Sequence, residues 1–244
     1  MSRHALKDIK RLMGKAIHNY NMTEEGDHIL VGVSGGKDSM SLLWLLRERL
    51  ERLPIKYRVT AAHVNPGFDP QSTERVKDFF VKHHFDHVVI QGDFGPRAHG
   101  PENRENPCFF CAMHRRRILF ELSAKLGCTK IALGHHKDDM IETFFMNILY
   151  GASVSTMLPV QEFFKGKIKV IRPFYLTDET LVRRYIDLME WEAIDLGCPT
   201  AGASKRGEIK RMLEGFYREN KKVKGNIFHA ITNVNTEYLP KGHL

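Results

Sequence analysis

Apolar residues near the start of the chain recur every three or four places: Leu6, Ile9, Leu12, Met13, Ala16, Ile17 and Tyr20. That spacing lines one face of a helix with 3.6 residues per turn, and it predicts an amphipathic helix over residues 4–20. The pattern then changes. His28-Ile29-Leu30-Val31-Gly32-Val33 is a short, continuous apolar run that stops at Ser34-Gly35-Gly36, which predicts a buried strand ending in a turn. Helical periodicity returns over 38–52, followed by a strand at 57–65, a helix at 72–84 and a strand at 87–91. A loop from 92 to about 107 leads into a helix at 109–126, a strand at 129–134 and a helix at 139–150. Residues 158–175 have the pattern of two short strands, and 178–190 and 205–220 that of helices.

Strands alternating with helices predict an α/β fold built on a parallel, doubly wound sheet, with helical N- and C-terminal extensions. The expected organisation is an N-terminal helix over 1–25, a core over 26–175 and a C-terminal helical extension over 176–244. Neither an internal repeat nor a low-complexity tract interrupts it. In such sheets ligands sit beyond the carboxyl ends of the strands. SGGKDS, the 92–107 loop and GHHKDD all follow strands, so all three are expected on one rim. A loop as long as 92–107 inside a compact domain is usually functional.

Composition narrows the partners. A hydrophobic fraction of 42 % over 244 residues is that of a globular chain. No apolar run approaches the roughly 18–20 residues of a membrane span. The opening MSRHALKDIK lacks an apolar signal core, so a cytoplasmic protein with no membrane partner is expected. Thirty-seven Lys and Arg against 29 Asp and Glu leave a net charge of +8, which favours an anionic partner such as nucleic acid or nucleotide.

Ser34-Gly35-Gly36-Lys37-Asp38-Ser39 follows a strand and opens a helix, where backbone N–H groups converge on an anion. The glycines admit close approach, the serines add hydroxyls, Lys37 adds a positive charge, and Asp38 offers a magnesium or amine contact. It is not a Walker A loop: only three residues separate Gly32 from Gly36, and Asp38 stands where Ser or Thr should follow the lysine.

There are four cysteines, Cys108, Cys111, Cys128 and Cys198. Cys128, before an apolar strand, has the setting of a small buried residue. The Cys108/Cys111 pair admits three chemistries. A redox CxxC belongs in a thioredoxin-like context. Structural zinc wants four ligands, so His114 or another histidine would have to complete it. An iron–sulfur cluster takes cysteine thiolates. Arg115, Arg116 and Arg117 follow, to lower a thiol pKa or hold a nucleic-acid phosphate; successive helical residues point about 100° apart, so at most two serve one site.

SGGKDS resembles the pyrophosphate loop of the PP-loop ATP pyrophosphatases, which cleave ATP between the α and β phosphates and activate a carbonyl oxygen as an adenylate. His63-Val64-Asn65 and Gly134-His135-His136-Lys137-Asp138-Asp139 resemble their further nucleotide-site segments. The loop alone would not choose among sulfur insertion, lysidine formation and amidation. Together with the CxxC before a helix, LGCTKIALGHHKDD, the IRPF segment and a distant third cysteine, the chain resembles the TtcA-type tRNA 2-thiocytidine synthetases. That resemblance implies ATP held by Ser34, Gly35, Gly36, Lys37, Asp38, Ser39, His63, Gly134 and Asp139, with Mg2+ on its phosphates. It implies a [4Fe-4S] cluster on Cys108, Cys111 and Cys198, and catalysis by these cysteines with Asp38. Family members often carry a second CxxC at the later site, whereas Cys198-Pro199-Thr200-Ala201 has alanine in the partner's place. A three-cysteine cluster tolerates that loss; a four-cysteine zinc site does not.

The function so implied is ATP-dependent thiolation of a tRNA base, C2 of a cytidine, with release of AMP and pyrophosphate. Expected partners are tRNA, a cysteine desulfurase or other sulfide donor, and a second copy of the chain in a homodimer. Two alternatives are a PP-loop sulfurtransferase with another substrate and a zinc-containing RNA-binding protein with a vestigial nucleotide loop. The charge excess generates a first prediction. tRNA affinity should fall steeply between low and moderate salt, because neutralised phosphates release counterions; a flat salt dependence in a filter-binding titration would point to a small-molecule substrate.

Overall fold

The structure, a computed structural model, describes residues 2–202 and 204–239. The chain divides into two compact units, Met1–His136 with Leu158–Ala201, and Lys137–Met157 with Gly202–Leu244.

The first unit opens with helix α1 (Ser2–Asn19), whose apolar face buries Ile9, Met13, Ala16 and Ile17. Strand β1 (His28–Gly32) follows, then α2 (Lys37–Leu50), β2 (Arg58–Asn65), α3 (Pro70–Lys82) and β3 (His87–Gln91). A short helix α4 (Phe94–Ala98) lies within the long loop, before α5 (Pro107–Leu126) and β4 (Lys130–Ala132). The second unit contributes α6 (Lys137–Gly151), after which the chain returns with β5 (Val160–Phe163), β6 (Ile168–Ile171) and α7 (Glu179–Leu188).

The sheet order is β3-β2-β1-β4-β6-β5. Strands β1 and β2 are parallel with Val31 opposite Ala61, and β1 and β4 are parallel with Val31 opposite Ala132. Neighbouring residues of β1 serve opposite faces. Ile29 and Val31 join the core beneath α1, α2, α3 and α7, while Leu30 joins the one beneath α4 and α5. A strand apolar on both sides needs helices on both sides, which is the doubly wound arrangement. The chain runs outward from β1 to β3, then crosses back to β4 on the other side. That reversal opens a crevice between β1 and β4 at their carboxyl ends.

The outermost strand departs from the all-parallel expectation. β5 pairs antiparallel with β6. Only residues 164–167 join them, and a parallel return needs a crossover of a dozen residues or more. Phe164, Lys165 and Gly166 all adopt positive φ to make that reversal.

The second unit packs α6 against α8 (Lys205–Glu219) and α9 (Val223–Ala230), around Ile141, Ile209 and Leu213. Helix α9 was not expected from sequence. VKGNIFHA is short and holds a glycine and an asparagine, both weak helix formers. Its Ile227 and Phe228 pack on the Ile141 cluster, so burial does what propensity does not. Among the described residues, no helix is long and apolar enough to cross a membrane.

One polar contact ties the start of β4 to the turn before β1. Lys130 Nζ lies 2.5 Å from Asp27 Oδ2, with side chains only 3 % and 8 % exposed. Asp27 also accepts from Thr129 Oγ1 at 2.9 Å and from the Glu24 N–H at 2.6 Å. Lys130→Met should leave the carboxylate buried and uncompensated, costing about 3–5 kcal/mol in urea unfolding. Adding Asp27→Asn should recover most of that loss, because the stranded charge is gone.

Candidate active site

The phosphate loop is shaped by its own hydroxyls. Ser39 is 6 % exposed. Its Oγ donates to Gly36 O at 2.9 Å and accepts from the Ser34 N–H at 3.1 Å, and Ser34 Oγ lies 3.3 Å from it. Gly35 sits at φ +84°, a conformation that favours glycine, with Ile194 against it; the Ile194 N–H donates to Gly35 O at 3.0 Å. Gly36 is the N-cap of α2 and no side chain caps that helix, and a helix N-terminus of this kind favours an anion. Lys37 Nζ reaches Asp38 Oδ2 at 3.3 Å and Glu179 Oε1 at 3.4 Å. From β4, a Cβ on Gly134 would stand 2.9 Å from the Asp38 carbonyl carbon, and His136 Nε2 lies 4.0 Å from Asp38 Oδ1.

His63 ends β2 fully buried, with Nδ1 2.8 Å from Val33 O. A carbonyl only accepts, so Nδ1 carries the proton, and Nε2 is a buried acceptor with no protein partner. Burial holds its pKa below the ordinary histidine value; the Val33 carbonyl pulls the other way and Arg115 reinforces the lowering. His63 is therefore a neutral ring at physiological pH. Asn65 has a different duty: its Oδ1 accepts from the Gly67 N–H at 2.7 Å and its Nδ2 donates to Thr73, which shapes the turn into α3.

Helix α5 begins two residues before its expected start, because Asn106 caps the N–H groups of Cys108 at 2.9 Å and Phe109 at 3.3 Å and Pro107 takes the first position. Cys108 is exposed, and Cys111 and Cys198 are half-buried. Thr200 Oγ1 lies 3.5 Å from Cys198 Sγ and 4.0 Å from Cys108 Sγ, so one hydroxyl gathers thiols 90 residues apart in sequence. Burial pushes the Cys111 thiol up, Arg115 pulls it down, and its neighbours Cys198 and Cys108 push it up again. Cys128 stands apart in the core with Leu30, Leu122 and Ile131, its thiol pushed up to about 11 by burial.

A family model described as a PP-loop domain matches residues 2–193. The tRNA-cytidine(32) 2-sulfurtransferase of Syntrophotalea carbinolica is 34 % identical over 239 residues, covering 96 % of this chain and 91 % of its own. Its namesake from Methylobacillus flagellatus is 36 % identical over 234 residues, covering 93 % and 75 %. The chain belongs to the PP-loop family of tRNA-cytidine 2-sulfurtransferases. In fold it is similar to the U34-tRNA thiolase NcsA from Methanococcus maripaludis, solved with its [4Fe-4S] cluster. The TM-score is 0.81 at 22 % identity, covering 98 % of this chain and 82 % of that one. NAD+ synthetase from Burkholderia pseudomallei gives 0.53 at 16 % identity, covering 97 % and 91 %.

Against the family's motifs, the three arginines part company. Arg115, one helical turn beyond Cys111, has its Nε buried without a hydrogen-bond partner, whereas Arg117 pairs outward with Glu121 at 2.8 Å and Arg116 is exposed. His114 packs against the rings of Phe110 and Phe94, at 4.3 and 6.0 Å. Asp139 belongs to the second unit. There it pairs with Arg206 at 3.4 Å, Glu142 Oε2 lies 3.6 Å from Arg206 Nε, and Asp138 pairs with Lys224 at 2.5 Å. Burial first, and then Asp139, push the Glu142 carboxyl up to about 7. Sequence reasoning missed Thr200 and Arg115's separate role. The first was visible only as a hydroxyl two places after Cys198, and the second only as one of three adjacent arginines.

The thiols supply a direct measurement. In metal-free, reduced protein, the pH midpoint for alkylation of Cys111 by iodoacetamide should lie above that of an ordinary thiol. Arg115→Ala should move it further up, since a nearby cation favours thiolate. A midpoint unchanged by Arg115→Ala would remove Arg115 from the thiol's surroundings.

Proposed function

We propose that this protein is an ATP-dependent sulfur transferase that thiolates C2 of a tRNA cytidine. The observation that carries the proposal is the meeting of Cys108 and Cys198 on the Thr200 hydroxyl, in the same compact unit as an uncapped phosphate loop. The names of the relatives support tRNA as the substrate and its cytidine 32 as the target.

The donor set fits an iron–sulfur cluster. Among the described residues, no three His, Cys, Asp or Glu side chains stand close enough to share one metal ion. A cluster offers each thiolate an iron of its own, so its ligands need not meet at a point. Cys108, Cys111 and Cys198 would hold it, while His114, the histidine nearest the pair in sequence, packs among aromatic rings. Bound there, a [4Fe-4S] cluster would supply one iron without a protein ligand, open to the sulfur donor.

In this reading the N–H groups at the start of α2 and Lys37 hold the ATP phosphates, and Asp38 holds Mg2+ against them. With the phosphates fixed, the C2 oxygen of the base attacks the α-phosphorus and pyrophosphate leaves. The carbonyl oxygen is then part of a good leaving group. Sulfur attacks C2, the carbon–oxygen bond breaks, and AMP departs with that oxygen. Positioning and phosphate electrostatics do the work, not a general base. Arg115, between Cys111 and the nucleotide rim, supplies positive charge where the AMP phosphate leaves. A stacked base is out of reach, so the target is a loop nucleotide turned outward. A cysteine desulfurase or another sulfide source completes the reaction.

Protein prepared without oxygen and reconstituted with iron and sulfide should be brown and, given ATP, Mg2+ and tRNA, should release AMP and pyrophosphate and form 2-thiocytidine. Asp38→Ala should lose turnover by two orders of magnitude or more, on the order of what a removed electrostatic group costs, while keeping the fold. Cys108→Ser, Cys111→Ser and Cys198→Ser should each bleach the colour and abolish thiolation. Cys128→Ala should keep both. Release of ADP and phosphate, or stoichiometric zinc in a colourless protein, would overturn the proposal.

A further inference from the structure

The Thr200 hydroxyl has a third neighbour. His99 Nε2 lies 3.2 Å from Thr200 Oγ1, and His99 Nδ1 lies 3.0 Å from Gly95 O. The carbonyl can only accept, so Nδ1 carries the proton of the neutral ring and Nε2 is an acceptor. Thr200 must then donate its single proton to His99. Both lone pairs of the Thr200 oxygen are left for the thiols, and these are the two sulfurs at 3.5 and 4.0 Å.

The histidine is itself held. Its ring meets Phe68 edge-on at 5.4 Å. The Gly95 N–H donates to Pro66 O at 2.7 Å, and a Cβ on Gly95 would stand 2.7 Å from the Phe68 ring, so only glycine lets this backbone lie so close. The 92–107 loop thus presents a fixed acceptor, and the chain after Cys198 hangs its hydroxyl on it.

We propose that Thr200, oriented by His99, is a positioning residue that clips Cys108 to Cys198 before any metal is bound. The clip spans the two segments that the helix of the CxxC cannot hold together by itself. Cys108 and Cys111 share α5, whereas Cys198 arrives on an irregular segment and needs a tie of its own. The purpose of the clip rests on the proposed function, but its geometry does not.

The test uses the full chain, metal-free and reduced, with a short bismaleimide that bridges neighbouring thiols, and peptide mapping of the Cys108–Cys198 product. Thr200→Val keeps the shape and removes the hydroxyl. It should lower the yield of that bridge by roughly three- to ten-fold, the factor that a hydrogen bond of ordinary net strength supplies. Alkylation of Cys108 by a single-headed maleimide should be unchanged. Thr200→Ser should restore the bridge, and His99→Phe, which keeps a ring against Phe68, should lower it less than Thr200→Val. In reconstituted protein, Thr200→Val should surrender iron to a chelator faster by a similar factor. If Thr200→Val does not fold, Thr200→Ala takes its place. A bridge formed as well as in the wild type overturns the clip, as does failure of Thr200→Ser to restore it. A wild-type protein that takes up no iron, yet still loses the bridge in Thr200→Val, would keep the clip and discard the cluster.

Discussion

Two stretches of main chain, from Gly134 after β4 and from Asp38 at the start of α2, lie against each other with no side chain between them. A single carbon added at Gly134 would stand 3.0 Å or less from the carbon and oxygen of the Asp38 carbonyl. β1 and β4 bring the two stretches together, being parallel neighbours in the sheet though distant in the chain. The loop is braced by this contact and by its own hydroxyls, Ser39 Oγ accepting from the Ser34 N–H at 3.1 Å. Gly32, at the end of β1, makes room for side chains instead: a Cβ there would meet the Leu133 side chain at 3.0 Å.

Around the crevice between β1 and β4 the charges are sorted by depth. His63 is buried and neutral, so it offers an acceptor without adding charge. Lys37 lies between Asp38 and Glu179, which keeps its ammonium over the loop. Arg115 faces Cys111 from one turn along the same helix, while Arg117, two residues further, is spent on a surface pair with Glu121. Helical geometry alone imposes this separation on three adjacent arginines.

Much of this was legible in the amino-acid sequence. Alternating apolar runs and helical stripes identified the doubly wound sheet, and SGGKDS after His28–Val33 placed the turn from β1 into α2. The misses have physical causes. Helix α5 starts earlier than its apolar pattern because Asn106 and Pro107 make a cap that periodicity does not register. The antiparallel edge of β5 follows from the length of a turn, not from the pattern of the strand. Helix α9 exists through packing on Ile141 and its neighbours despite poor propensity. Thr200 and His99 are 101 positions apart, and no local pattern announces that such residues meet.

The segment after α7 serves two masters. Ile194 hydrogen-bonds the phosphate loop through Gly35 O, and Cys198 stands four residues later on the same strand of irregular chain. Residues 195–197 between them are already bent, with the Gly197 N–H bonded to Asp195 Oδ1 at 3.0 Å and Gly197 at φ +72°. Even fully extended, the four residues from Ile194 to Cys198 span at most about 14 Å, so Cys198 stays in the neighbourhood of Gly35 whatever shape the segment takes. The Ile194 bond to Gly35 therefore sets how far from the loop the Cys198 thiol can lie. An insertion between Ile194 and Cys198 would lengthen that leash without touching either end.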